Sequence, residues 1–261
     1  MINLTRQAEL MKNHQGFEHN QQSLRIVDLL ECKYPHFHGL NLSYEVREGI
    51  KKHRTIYDHP QSGDGFCSLE AQVVNCADEI TYTAHDVDDA IRSNILTDSD
   101  LIKHVTLWRE YSNEVLSTHS QLNDNQYGYL MNSMLITNQI RNVIETSKHA
   151  IEQSGIRSLA DLQQAKAQSM IGFSASFQQK IDELRAYLYD NYYHHYDIYR
   201  SNKKGQMIIE TLFNALVKDT RLIPKEYYLE HTADQKERIV CDYISGMTDS
   251  FALAEYQDLY T

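Results

Sequence analysis

The stretch S-L-E-A-Q-V-V-N-C-A-D-E-I-T-Y-T-A-H-D-V-D-D, from Ser68 to Asp89, decides the fold of this chain. Ser68 is a favourable helix cap, and apolar side chains follow it at alternating four- and three-residue steps. This spacing is typical of one face of an α-helix, so the stretch predicts a long helix that is buried along one side. The residues expected on that face are Val73, Ala77, Ile80, Ala84, Val87 and Ile91.

Two carboxylates and a phenol lie beside the predicted apolar face of this helix. Asp78, Tyr82 and Asp86 are four residues apart, which places all three on the same side of a helix. A carboxylate near a buried surface is costly unless it is paired, hydrogen-bonded or bound to a metal ion. The spacing alone leaves two interpretations open, a solvated acidic helix face and a binding site.

The remainder of the sequence also favours helices. Only 10 glycines and 3 prolines occur in 261 residues, which favours long helices joined by short polar turns. A loop at 57–67 and an exposed linker at 162–176, or a poorly patterned helix there, are the main predicted interruptions. The sequence therefore predicts an all-α fold. Helical patterns cover residues 20–31, 43–53, 101–116, 127–151, 177–217 and 234–256, with caps expected at Ser43 and at Asp98 or Ser99, and a helix end at Gly155.

Charge and cysteine usage narrow the class of protein. A formal net charge of −11 removes any general attraction of the chain to nucleic-acid phosphates. An acidic protein that handles an anionic substrate needs a local cluster of basic residues or a bound divalent cation, and we expect a cation. The 4 cysteines form no C-x-x-C pair, and no apolar run approaches the roughly 20 residues that cross a bilayer. We expect a soluble cytoplasmic protein with no membrane partner.

Three further features could carry chemistry. His19, in G-F-E-H-N-Q-Q-S, is either a general acid, a phosphate ligand or an ordinary polar residue at the start of a helix. The run Tyr192–Tyr196 is dense in tyrosine and histidine and favours an interfacial belt. Arg200, Lys203 and Lys204 either hold phosphate oxygens of an anionic ligand or form a solvated helix face.

Four segments of the chain carry a family resemblance. They are G-F-E-H-N-Q-Q-S-L-R-I-V (16–27), G-L-N-L-S-Y-E-V-R-E-G-I-K-K-H (39–53), the stretch from Ser68 to Asp89, and R-I-V-C-D-Y-I-S-G-M-T-D-S-F-A-L (238–253). In this order they resemble successive signature segments of the bacterial deoxyguanosine triphosphate triphosphohydrolases and their relatives in the HD superfamily. The four segments span nearly the whole chain, and their combination is highly specific.

The resemblance implies a fold and an activity. It implies an HD-domain-like helical bundle, incomplete at the N-terminus, with a C-terminal helical extension. Residues 1–160 would be the remaining part of the catalytic domain, and residues 161–261 a C-terminal helical region that packs on it. The implied activity is metal-dependent hydrolysis of dGTP or another dNTP to a deoxynucleoside and inorganic triphosphate. The resemblance also implies a homo-oligomer.

The resemblance also assigns roles to four residues. Asp78 matches the last ligand of a divalent cation, Mg²⁺ or Mn²⁺. Tyr82 and Asp86 match groups that hold the sugar, where a 3′-hydroxyl is hydrogen-bonded and a 2′-hydroxyl is refused. His19 matches a histidine that approaches the phosphate chain near the bond to be broken, where it is a candidate general acid.

The sequence departs from the family pattern in the metal ligands. The family's first histidine and its His-Asp pair lie upstream of the segment at 16–27, and no corresponding run occurs among these 261 residues. His85 and Asp86 form a literal His-Asp pair, but their surroundings match the later motif. Asp78 alone offers too few donors for a defined magnesium or manganese site. We therefore expect a truncated or split enzyme whose metal is held poorly by this chain alone, with a complementing N-terminal fragment as its partner.

Two other interpretations stay open at this point. The missing ligands favour a non-catalytic helical remnant, or a regulatory subunit that retains nucleotide binding. A single-strand nucleic-acid binder that uses the region from Tyr192 to Lys204 is disfavoured by the acidic charge balance.

Overall fold

The structure is a computed structural model that describes residues 4–53, 68–119, 121–164, 169–230 and 234–260. Across these ranges it contains thirteen α-helices and no β-strand, so the predicted all-α fold is confirmed. No helix within the ranges is both long and apolar enough to cross a membrane. The predicted loop at 57–67 lies outside the described residues.

The chain forms two compact units. The central unit comprises residues 43–195, and the terminal unit comprises residues 1–42 together with 196–261. These units do not follow the predicted boundary between residues 160 and 161, because contacts gather the two ends of the chain into one unit.

The central unit is built around a long helix that carries the stretch quoted above. Its helices are α3 (Tyr44–Lys51), α4 (Leu69–Arg92), α5 (Asp98–His104), α6 (Thr106–Thr118), α7 (Asp124–Ser154), α8 (Leu159–Gln164) and α9 (Ala175–Leu188). Helix α4 packs against α7 and α9, and α6 packs against α5, α7 and α9. The predicted caps are confirmed at Ser43, at Ser68 and at Gly155, which has a positive φ of 69°.

Helix α4 is buried along one side, although the first part of the predicted stripe is wrong. Val73 is 51% exposed and Ala77 is also exposed, whereas Cys76 is buried between α4 and α7. A helical turn has 3.6 residues, so apolar residues three or four positions apart are both compatible with one buried face. Packing against neighbouring helices decides which of these residues are buried. The buried residues of α4 are Cys76, Ile80, Thr83, Ala84, Val87 and Ala90.

Residues 101–116 form parts of two helices, where the sequence predicted one. Thr97 caps α5 in place of Asp98 or Ser99, and the chain turns extended at Val105, which is fully buried. The backbone amide of Thr106 then donates to Glu183 Oε2 at 2.9 Å, which caps α6 from helix α9. A capping partner so far along the chain has no local sequence signal.

The predicted exposed linker is wrong for the described residues 169–174. Ile171 is buried with Cys76 and Ile80, and Phe173 packs against the same cluster. The amides of Met170 and Ile171 donate to Gln72 Oε1, at 2.8 and 3.2 Å. This segment is therefore part of the central core.

The terminal unit has a core of its own. Its helices are α1 (Leu4–Leu10), α2 (His19–Arg25), α10 (Tyr196–Lys218), α11 (Lys225–Glu230), α12 (Lys236–Ser245) and α13 (Asp249–Tyr260). The single helix predicted over 234–256 is split at Gly246, and the Thr248 hydroxyl accepts from the amide of Phe251 as α13 begins. The buried core comprises Met11, Ile209, Leu212, Phe213, Leu216, Ile223, Val240, Cys241, Ile244, Met247 and Ala252.

A buried ionic network ties α2 to α12 in this unit. The Asp242 side chain has no solvent exposure and accepts from Arg25 Nε at 2.7 Å and from Gln22 Nε2 at 2.9 Å. Arg25 also donates through Nη2 to Asp234 Oδ2 at 2.5 Å. The carboxylate is thereby both paired and hydrogen-bonded, which is the condition under which a charge is tolerated in a core.

Gly39 is required by the path of the chain next to Asp28. Its φ is +75°, and a Cβ built there would lie 2.4 Å from the carbonyl oxygen of Asp28. We expect Gly39→Ala to lower the free energy of unfolding by at least about 1–2 kcal/mol, the cost of a left-handed backbone alone. Urea unfolding monitored by circular dichroism measures this effect.

Gly205 supplies the control for that substitution. It lies within helix α10, has an ordinary helical φ, and a Cβ there would meet open space. Gly205→Ala is expected to raise stability by about 0.5–1 kcal/mol. Equal losses from the two substitutions would contradict the assignment of Gly39.

Candidate active site

Helix α4 presents Asp78, Tyr82 and Asp86 on one side, as the four-residue spacing predicted. All three side chains are half-buried. They line a single cavity of about 400 Å³ in the central unit. The structure thus brings three of the four sequence-predicted site residues together.

The opposite wall of the cavity comes from the end of α9 and the π-helical turn that follows it, Tyr189–Tyr193. Leu184 and Tyr192 turn into the core, Leu188 between them lies at the border of core and cavity, and the residues on the adjacent face line the cavity. The described residues that line it are Asp78, Glu79, Tyr82, Thr83, Asp86, Asp182, Arg185, Ala186, Leu188, Tyr189, Asp190 and Tyr193.

Among the described residues of this lining Arg185 is the only basic one, and two of its three guanidinium nitrogens donate hydrogen bonds while Nη2 is buried without a partner. Its Nη1 donates to Glu79 Oε1 at 3.3 Å, and its Nε donates to Thr83 Oγ1 at 3.2 Å. The other carboxylates of the lining are therefore not neutralised by it. An acidic cavity of this kind suits hydroxyl groups, amino groups or a cation, and it repels bare phosphate oxygens.

Asp86 is held by Tyr193, a tyrosine of the predicted interfacial belt. The Tyr193 hydroxyl donates a hydrogen bond to Asp86 Oδ2. Burial raises the pKa of Asp86, and the hydrogen bond from Tyr193 opposes that rise. The predicted interfacial belt of Tyr192–Tyr196 is therefore divided, since Tyr192 is buried and Tyr193 lines the cavity.

Asp78 lies next to a second residue that could bind a metal. His53 Nε2 is 3.5 Å from Asp78 Oδ2, and its Nδ1 is 2.5 Å from Asn75 Oδ1. His53 is the last residue of the segment at 39–53, and its position there was the only sequence signal for it.

This donor set does not by itself fit a defined Mg²⁺ or Mn²⁺ site. Such ions need several donors in fixed geometry, and Mg²⁺ takes near-octahedral coordination. In the described ranges no three or more side chains of His, Cys, Asp and Glu are grouped so that they could hold a metal ion. Asp78 and His53 offer at most one side of a coordination sphere.

His19, the fourth predicted site residue, belongs to the terminal unit. It is the first residue of α2, and its Nδ1 lies 3.0 Å from Glu18 Oε1. Glu18 also caps α2 by accepting from the amides of Asn20 and Gln21. The carboxylate therefore fixes both the start of the helix and the orientation of the imidazole ring.

The other candidates from the sequence lie on exposed surfaces. His85 is exposed on α4, away from the cavity lining. Arg200, Lys203 and Lys204 are exposed on α10, where the Lys203 ammonium lies 5.6 Å from the centre of the Tyr199 ring. These three basic residues have the exposure of a solvated helix face.

Comparison with known proteins gives consistent matches over nearly the whole chain. A deoxyguanosinetriphosphate triphosphohydrolase-like protein of Bordetella pertussis is 39% identical over 260 residues, which cover 97% of this chain and 67% of the relative. The chain belongs to the deoxyguanosinetriphosphate triphosphohydrolase-like family. Relatives with the same name are 39% identical in Geobacter metallireducens and 38% identical in Thiobacillus denitrificans, each over 96% of this chain.

A second comparison agrees with this family. The profile of the phosphohydrolase-associated domain matches residues 171–258, which include the second wall of the cavity. The chain spans about two thirds of the length of its triphosphohydrolase-like relatives, from 66% in Geobacter metallireducens to 68% in Thiobacillus denitrificans.

Proposed function

We propose that this chain belongs to an enzyme that hydrolyses a deoxynucleoside triphosphate, such as dGTP, to the deoxynucleoside and inorganic triphosphate. The observation that carries the proposal is the single cavity that gathers Asp78, Tyr82 and Asp86. The names of the triphosphohydrolase-like relatives support the same activity.

The cavity suits the nucleoside end of such a substrate. Carboxylate oxygens accept hydrogen bonds from sugar hydroxyls, a phenol hydroxyl both donates and accepts, and the tyrosine rings offer flat apolar surfaces. The proposal places the sugar against Tyr82 and Asp86. The described lining carries more carboxylates than cations, which disfavours binding of the triphosphate against these walls. The charge of the triphosphate must therefore be neutralised by other groups.

The proposed enzyme uses a divalent cation, Mg²⁺ or Mn²⁺, which would supply neutralisation of the triphosphate charge when bound. Asp78 would contribute one carboxylate to it. Apart from the neighbouring His53, the remaining donors would have to come from beyond the described residues. Water would bond to the α-phosphorus through its oxygen as the bond to the 5′-oxygen breaks, and His19 would donate a proton to that 5′-oxygen of the departing nucleoside.

The decisive assay measures release of inorganic triphosphate from dGTP in the presence of Mn²⁺. The chain is assayed alone and together with the portion of the Geobacter metallireducens relative that the match leaves out. Equimolar triphosphate and deoxyguanosine are expected in at least one of these settings. Release of pyrophosphate or orthophosphate instead, or no release in either setting, would contradict the proposal.

A non-catalytic nucleotide-binding subunit is the second candidate, because the described donors do not complete a metal site. It predicts that the chain binds dGTP without turnover in either setting. Calorimetry with dGTP, run beside the triphosphate assay, distinguishes the two candidates.

The proposed role of Asp78 is tested by Asp78→Asn, which keeps the shape of the side chain and removes its charge. We expect the Mn²⁺ concentration for half-maximal triphosphate release to rise at least about tenfold, since even groups that only orient a ligand change metal affinity by that factor. Asp88→Asn is the control, because Asp88 is on the same helix and pairs with Arg92 at 2.7 Å. An unchanged Mn²⁺ dependence in Asp78→Asn would remove Asp78 from the metal site.

A further inference from the structure

An exposed segment of the terminal unit, residues 31–39, folds back on itself in a tight turn. The amide of Gly39 donates to the carbonyl oxygen of Glu31 at 2.7 Å, and Tyr34 and Phe37 form an isolated antiparallel bridge inside that closure. The rings of Tyr34 and Phe37 are stacked, with their centroids 4.9 Å apart. The positions between these two pairings are therefore brought opposite each other.

Cys32 and His38 occupy these positions, and both are exposed. The Cys32 Sγ lies 3.8 Å from His38 Nδ1, within hydrogen-bonding range for sulfur, and 3.6 Å from the carbonyl oxygen of Leu30, to which the thiol donates. The carbonyl oxygen favours the thiol, whereas an adjacent imidazole favours the thiolate, which is the nucleophilic form. The turn thus holds a nucleophile next to a base that can take its proton.

The surroundings of Cys32 differ from those of the other described cysteines. Cys76 and Cys241 are buried, and burial raises the pKa of each thiol to about 11. Thiols of this kind stay protonated near neutral pH and are closed to solvent, so they react slowly. Of the three described cysteines, Cys32 alone is both exposed and next to an imidazole.

We propose that Cys32, with His38 as its base, is a site of covalent modification by small soluble disulfides such as oxidised glutathione. The Cys32 Sγ bonds to one sulfur of the disulfide as the S–S bond of the reagent breaks. The second sulfur leaves as a thiolate and takes up the proton that His38 accepted from Cys32. Cys32 is thereby oxidised to a mixed disulfide, and half of the reagent is reduced to a free thiol.

This site is separate from the proposed function. The turn belongs to the terminal unit, and none of its residues is among those that line the cavity in the central unit. Failure of the triphosphate assay would therefore leave the modification of Cys32 in place, and failure of the modification would leave the proposed activity in place.

The test incubates the full chain with oxidised glutathione at neutral pH and follows the mixed disulfide at each cysteine by mass spectrometry of its peptides. Peptide mapping also separates Cys67, which lies outside the described residues. We expect the adduct at Cys32, with Cys76 and Cys241 unmodified in the folded chain. His38→Asn is expected to slow the reaction at Cys32 about three- to tenfold, because the gain in thiolate is partly offset by its weaker nucleophilicity.

His36→Asn is the matched control. His36 lies in the same exposed turn, and no hydrogen bond joins it to Cys32 in the part of the chain that the structure describes. The rate at Cys32 is expected to remain that of the wild type. Unfolding in urea provides a second measurement, because the fixed contact with His38 is then lost and the wild type and His38→Asn should react at the same rate.

Three results would overturn the assignment. One is a folded chain that forms no adduct at Cys32, and another is an equal rate at Cys32 in the wild type and in His38→Asn. The third is an equal slowing by His36→Asn and His38→Asn, since the loss would then come from the shape of the turn and not from the base.

Discussion

Asp242→Ala is expected to lower the free energy of unfolding of the terminal unit by about 3–5 kcal/mol, the usual cost of removing one partner from a buried ion pair. The Asp242 side chain has no solvent exposure, and it accepts from Arg25 and Gln22. Its removal leaves the Arg25 Nε donor and the Gln22 amide without their acceptor. The loss arises from these unpaired groups more than from the attraction of the pair itself.

Urea unfolding followed by circular dichroism at 222 nm measures this loss. Trp108 is the single tryptophan and lies in the central unit, so its fluorescence gives a separate reading of that unit. Asp242→Asn is expected to be less damaging than Asp242→Ala, because the amide oxygen still accepts one hydrogen bond.

The exposed pair of Asp219 and Arg221 provides the matched control, as both residues lie in the terminal unit. Exposed pairs contribute little to stability, since water and salt screen them. Arg221→Ala should therefore leave the unfolding curve nearly unchanged, because Asp219 still caps the following turn by accepting from the backbone amide at position 221. A loss in Asp242→Ala no larger than that in Arg221→Ala would contradict the buried network as a determinant of stability.

Features set by neighbouring residues could be predicted from the sequence. Ser43 and Ser68 cap their helices through amides three residues ahead, and Gly155 ends α7 in a left-handed conformation. The arrangement of Asp78, Tyr82 and Asp86 on one side of α4 also follows from helical spacing alone.

Features that depend on distant partners could not be predicted in this way. The helix break at Val105 depends on Glu183, which caps α6 from another helix. The Arg25–Asp242 pair joins residues 217 positions apart. In both cases the sequence offers suitable residue types, but only the packed fold selects the partner.

The second wall of the cavity could be predicted only in part from the sequence. Asp182, Arg185, Tyr189 and Tyr193 recur at three- and four-residue steps, a signal that places them on one helix face. That this face meets α4 is a property of tertiary packing. The run of tyrosines and histidines therefore predicts an interfacial belt, whereas the structure places Tyr193 on Asp86.

His19→Asn is expected to lower kcat for triphosphate release from dGTP by about 10²- to 10⁴-fold, the usual contribution of a general acid. Asparagine occupies a similar volume and keeps a hydrogen-bonding group near Glu18, but it cannot deliver a proton at neutral pH. The measurement is steady-state release of triphosphate under the conditions in which the wild type is active. A rise in KM at unchanged kcat would instead assign His19 to substrate binding.

His14→Asn is the matched control in the same unit. His14 also faces a carboxylate, with its Nδ1 3.9 Å from Glu237 Oε2, and the sequence gives it no role at the phosphate chain. Its kcat is expected to remain close to that of the wild type. An equal loss in the two variants would attribute the effect to the fold of the terminal unit.

A change of leaving group separates proton donation by His19 from a structural effect. The 5′-oxygen of a deoxynucleoside is a poor leaving group and needs protonation as the bond to phosphorus breaks, whereas a nitrophenolate leaves as a stable anion. The His19→Asn loss should therefore be large with dGTP and at least about tenfold smaller with p-nitrophenyl triphosphate, since general-acid catalysis contributes little where no proton is required. Equal losses with both substrates would show that His19 acts on the phosphate chain or on the fold, and not on the leaving oxygen.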